Sequence, residues 1–119
     1  MNRINWLSLI ILFTMVGCKA NDYHTIQPFA SAEDIKIVQQ QFANIEDIEV
    51  TDDGYITYYK WIDHGYHWRT SVIKSLSNQW ACETMIDYLE HGFVIKIGFK
   101  GQGGREEHFD YDRCLQKSQ

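Results

Sequence analysis

Histidines, paired carboxylates and three cysteines are the residues of this chain whose types and spacing could do chemistry. Asp63, His64 and His67, with His24, His91 and His108 elsewhere, are the candidate metal ligands. Zinc needs three or four such groups converging at about 2.0–2.3 Å. An H-x-x-H carried on a loop has no helix to present it, so these side chains read as solvated histidines and no metal is expected. Glu106-Glu107 and Asp110 with Asp112 could be offered as catalytic pairs. Neighbours along a strand point to opposite faces, so Glu106 and Glu107 cannot address one substrate; the group reads instead as a charged strand edge that discourages aggregation. No serine lies in a G-x-S-x-G context. The Gly101-Gln102-Gly103-Gly104 run lacks the Lys-Ser/Thr and following helix of a phosphate cradle. The chain therefore reads as non-enzymatic, with no catalytic residue and no cofactor.

The cysteines remain, at 18, 82 and 114, and the first is explained by what precedes it. Arg3 is followed by an apolar run from Trp6 to Val16 and then by Gly17-Cys18. A basic start, a short apolar stretch and small residues at a cut are the layout of a bacterial export signal. The run is shorter than the roughly 20 residues needed to cross a bilayer core. Met15-Val16-Gly17-Cys18 resembles a lipobox, with Met where Leu is the commoner residue. Cutting before Cys18 makes its thiol the N-terminal lipidation site, carrying diacylglycerol and an amide-linked acyl chain. Cleavage as an ordinary secretory signal, giving a soluble periplasmic or secreted protein, is the alternative. Lys19, in place of the Asp that marks inner-membrane retention, implies the outer membrane, facing the periplasm.

Export leaves Cys82 and Cys114 as a pair in an oxidising compartment. The wide spacing without C-x-x-C favours a structural bridge over a redox or metal pair. Closing that loop would stabilise the fold by roughly 3.7 kcal/mol in the chain-entropy model. Loss of residues 1–17 from the 119 removes one of 11 basic residues, leaving 10 against 16 acidic and a net charge of −6. No Lys/Arg cluster exists to meet a phosphate backbone, so no nucleic-acid partner is expected.

The elements that must position these residues follow from periodicity. Residues 18–30, with the sole proline at Pro28, read as a lipid-anchored tether, and 31–119 as a single domain. Ser31 resembles a helix N-cap, with Glu33 and Asp34 in the first turn. Ile35, Val38, Phe42 and Ile45 then predict a helix of about 13 residues. Ile48–Thr51 and Tyr55–Trp61, joined by Asp52-Asp53-Gly54, predict a hairpin, and 63–67 a loop. Trp68, Val72, Leu76 and Trp80 recur at helical spacing, flanked by Ile73. Glu83–His91 predicts a second short helix, with Met85, Ile86 and Leu89 inward and Gly92 as its stop. Phe93–Lys100 and Arg105–Asp112, the latter with Phe109 and Tyr111 on one face, predict a terminal hairpin. The expected fold is α+β: an antiparallel sheet of two hairpins packed against two or three helices, with one disulfide.

Aromatic residues crowd into 55–68, and alternation prevents them all from facing one core. Tyr58, Trp61 and Tyr66 are the candidate partner-binding residues on an exposed patch. A resemblance adds to this. Cys82, the apolar turn through Leu89, Gly92, the alternating Ile95-Ile97-Phe99, Gly104 and Cys114 resemble the C-terminal half of small disulfide-bonded α/β lipoproteins that act as pilotins of type II secretion. The match covers 82–114 and transfers no binding residue. It implies a domain that holds a helical tail of an outer-membrane secretin in a groove while the lipid carries both to the membrane. The expected partners are the membrane, through the lipid, and an envelope protein. An immunity protein or inhibitor of an envelope-targeting toxin is the second class, since acidic surfaces suit basic partners. A small hydrolase is the third and lacks a nucleophile.

Overall fold

The computed structural model describes residues 23–117; the expected export signal and lipidation site at Cys18 lie outside the described residues. The chain is α+β, with helix α1 (Ala32–Gln41), strands β1 (Ile48–Val50) and β2 (Tyr55–Trp61), and helix α2 (Thr70–Gln79). A π-helical turn (Trp80–Thr84) leads into α3 (Ile86–Glu90), then β3 (Val94–Lys100), β4 (Glu106–Phe109) and α4 (Tyr111–Lys117). The sheet order is β1-β2-β3-β4. Both hairpins form as expected, but the sheet is mixed: β2 and β3 run parallel, from Tyr55↔Val94 to Trp61↔Lys100. Parallel neighbours cannot be joined by a tight turn, so residues 62–93 cross over the sheet carrying α2 and α3. Strand patterns reveal each hairpin but not how two hairpins join, and the fully antiparallel expectation failed at that join.

One face of the sheet makes the core. Ile56, Ile95, Ile97, Phe99 and Phe109 point to it and meet Ile35 and Val38 of α1, Ile73 of α2, Leu89 of α3 and Cys114 of α4. The other face carries Tyr55, Thr57, Tyr59 and Trp61 beside Val94, Lys96, Gly98 and Lys100. There the Lys96 ammonium lies 4.1 Å from the Tyr55 ring centroid and that of Lys100 4.9 Å from Tyr59. Gly98 leaves room for the Tyr59 ring to lie against the backbone. These diagonal cation–π pairs lie on the same face as the buried Val94.

Helix α1 begins as the sequence predicts, with the Asp34 N–H donating to Ser31 Oγ at 3.0 Å. It ends at Gln41, so Ile45 lies beyond it and is exposed. The crossover helices correct the apolar stripe. Ile73, Ser77, Ala81, Met85 and Leu89 are buried, whereas Val72 and Leu76 are 40% and 38% exposed. An α-helix advances about 100° per residue, so a spacing of four drifts by about 40° at each step. The Met85 N–H reaches back five residues to the Trp80 carbonyl, and that underwound turn brings the stripe back over the sheet. Ser77 escapes a hydropathy reading because it is polar; its hydroxyl bonds the Lys74 carbonyl at 3.3 Å. The turn also sets Cys82 beside Cys114, Cα to Cα 5.4 Å, in the disulfide.

Tyr111 does not extend the last strand, because Asp110 breaks the pairing and starts α4. Asp110 is 1% exposed. Its carboxylate caps α4 by accepting from the Arg113 N–H at 2.9 Å, and accepts from the Tyr23 hydroxyl and the Ile26 N–H, both at 3.0 Å. Residues 23–30 are thus a strap fastened to the domain. Farther along, the Phe29 N–H donates to the Gly92 carbonyl at 2.8 Å. Gly92 has φ +97°, and a Cβ there would come within 2.7 Å of the Ala30 nitrogen. It therefore serves both the end of α3 and the passage of the strap.

Two predictions follow from these ties. Replacing Cys82 and Cys114 together by alanine is expected to lower unfolding free energy by about 3–4 kcal/mol in urea titration. Burial, then the Asp110 hydrogen bond, raises the Tyr23 phenol from its ordinary value to about 12. The contribution of Tyr23 to fastening the strap is therefore complete below pH about 10 and lost as pH climbs towards 12. In Asp110→Asn, absorbance titration at high alkalinity should show one late-ionising tyrosine return towards the ordinary range.

Candidate functional site

Between α2 and the carboxyl ends of β2 and β3 the helix layer stands away from the sheet and leaves an open groove of about 180 Å³. Tyr58, Ile97 and Phe99 on the core-facing side of the sheet form its floor, and Leu76, Gln79, Trp80 and Thr84 its wall, with Lys60 at the edge. Tyr58 and Trp80 stack with centroids 4.6 Å apart and an interplanar angle of 27°. The π turn that begins at Trp80 aims this indole onto the tyrosine, so the two rings fix each other. Leu76 opens onto the groove, and Val72, one turn earlier on α2, extends the exposed apolar surface along the helix. The Val72–Leu76–Trp80 stripe seen in the sequence is therefore real, but it lines an open surface. The arrangement suits an apolar side chain seated against the paired rings, with one ammonium at the edge.

The three predicted contact residues are not brought to one face. Tyr58 lies in the groove. Trp61 is 66% exposed and emerges from the opposite face of the sheet, opposite Lys100. Tyr66 is 65% exposed on the crossover loop. That loop is held over the β3–β4 turn by Trp68, whose backbone N–H donates to the Gln102 carbonyl and whose indole N–H donates to the Lys100 carbonyl, each at 2.9 Å. Trp68 itself is buried, edge-on to Phe99 at 5.0 Å. Leu76 and Trp80 were legible in the sequence only as part of a helical spacing, and nothing in that spacing marked them as groove residues.

The carboxylate run 106–112 divides between faces. Glu106 and Asp112 are exposed, as expected for a strand edge. Glu107 and Asp110 are not: register with Ile97 turns Glu107 into the helix-covered side, where it is 4% exposed. A buried carboxylate needs compensation, and Arg113 Nη2 supplies a 2.9 Å bond to Oε1. Arg105 Nε lies 2.9 Å from Oε2 as an ion pair, out of line for a hydrogen bond. Arg113 also covers the Phe109 ring at 4.0 Å and approaches Tyr23 at 5.6 Å. Spoken for on both sides, these groups bind the strap, β4 and α4 together.

The histidines are dispersed. His64 and His67 lie exposed on the crossover loop with Asp63, and His24 on the strap. His108 pairs with Glu106 at 2.7 Å. His91 Nδ1 meets the Asp87 carbonyl at 2.8 Å, and that bond raises its pKa above the ordinary value. Among the described residues no three His, Cys, Asp or Glu converge as a metal site. Comparison with models of known families, with curated proteins and with solved structures finds no match to this chain.

The exposure pattern makes a direct prediction. Acrylamide should quench Trp61 freely, Trp80 partly and Trp68 little. Trp61→Phe should therefore remove most of the readily quenched emission of the folded domain, a difference read in a single Stern–Volmer series.

Proposed function

We propose that this protein is a lipid-anchored module of the bacterial outer membrane that binds another envelope protein, as a pilotin-like secretion or assembly factor. The observation that carries this reading is the open groove between α2 and the sheet. A domain of this size has little apolar surface to spare, yet it leaves Val72 and Leu76 uncovered beside a preset Tyr58–Trp80 pair. Such surfaces mark sites where another molecule completes the burial. The disulfide between Cys82 and Cys114 agrees with the oxidising compartment to which the N-terminal sequence points.

The anchor and the groove are tested separately. Globomycin should cause unprocessed precursor to accumulate, and Cys18→Ser should release the domain from membranes; normal processing in the drug would remove the lipoprotein reading. A photo-crosslinking residue at position 76 should yield one dominant envelope adduct in cells, which Trp80→Ala should weaken severalfold. Labelling spread evenly over abundant proteins would count against a specific partner.

A further inference from the structure

The groove's size and charge say what kind of segment fits it. An enclosed apolar cavity of about 150 Å³ takes one benzene, so an opening of about 180 Å³ accommodates a single leucine- or phenylalanine-sized side chain. Stacking of Tyr58 on Trp80 orders part of the floor and of the wall in advance, which reduces what binding must expend on fixing side chains. Val72 and Leu76 continue the apolar track along α2, so an occupant extends beyond the cavity as a chain segment.

Charge then narrows the partner. The whole chain has 16 acidic and 11 basic residues. Even so, Lys60 is the one charged residue among the described residues lining the groove. Helix α2 carries Lys74 and no carboxylate, with Arg69 just before its first turn. The nearest carboxylate along the chain, Glu83, is exposed and borders a neighbouring depression that also contains Lys74. The one charge at the apolar opening of this acidic protein is thus the Lys60 ammonium.

We propose that the groove receives a partner-protein segment that inserts one bulky apolar side chain and carries carboxylates beside it, with Lys60 as the ionic contact. This rests on the groove being the binding site, and it adds the sign and shape of what binds there. It excludes a basic segment, which would meet Lys60 with like charge, and it distinguishes a peptide anchor from a lipid acyl chain.

Two helical peptides sharing one Leu/Phe stripe, and differing only in glutamate or lysine flanks, provide the test. Titrated into the folded domain with Trp80 emission and amide shifts as readouts, the glutamate peptide should bind at least tenfold more tightly than the lysine peptide. Added salt should shrink that ratio. Lys60→Glu should abolish or invert the preference, while Leu76→Asp should weaken both peptides. Equal affinities would overturn the acidic-partner assignment and leave the groove reading standing. If neither peptide binds, or if acyl-chain micelles shift the groove residues while the peptides do not, both the partner class and the groove reading fail.

Discussion

Parallel pairing of β2 with β3 at the centre of the sheet is the constraint from which the rest of the architecture follows. Two parallel strands need a connection that returns the chain to the starting end, and here it must pass over one face. That single crossover places α2 and α3 over Ile56, Ile95, Ile97 and Phe99. On the other face, tyrosines lie along the sheet beneath lysine ammonium groups. On the covered face, the groove opens between α2 and the carboxyl ends of β2 and β3.

The π turn reconciles these demands. It keeps the spacing-of-four buried stripe over the sheet, turns Trp80 onto Tyr58, and positions Cys82 for its bond to Cys114. One local irregularity therefore links the groove wall to the covalent tie that holds α4. From there Asp110 and the Glu107–Arg113 pair secure the strap, so the chain entering the domain and the last helix are held by the same few polar groups. The stability of this end rests on buried charge with its partners in place, whereas the groove end rests on apolar packing left incomplete.

Much of this was legible along the chain. Both hairpins, the Ser31 cap, the Gly92 stop, the loop over 63–67 and the Cys82–Cys114 pair each depend on neighbours close in sequence or on a simple count of cysteines. What escaped depended on partners far away. Glu107 reads as a solvated edge residue until register with Ile97 turns it inward beside Arg113. Residues 23–30 have no periodicity, because their fastenings are single hydrogen bonds to Asp110 and Gly92 rather than a repeating face.

The division has a physical basis. Sequence alone determined the α+β class, the elements' order as far as β4 and the apolar positions of α2, since helix and strand periods are local properties of the backbone. Only the tertiary structure decided which of two apolar stripes on α2 was covered, because that depends on the π turn's phase and the parallel join of two hairpins. Val72, Leu76 and Trp80 are the same residues in either view. Whether they form a core or an open groove is set by what the sheet places opposite them.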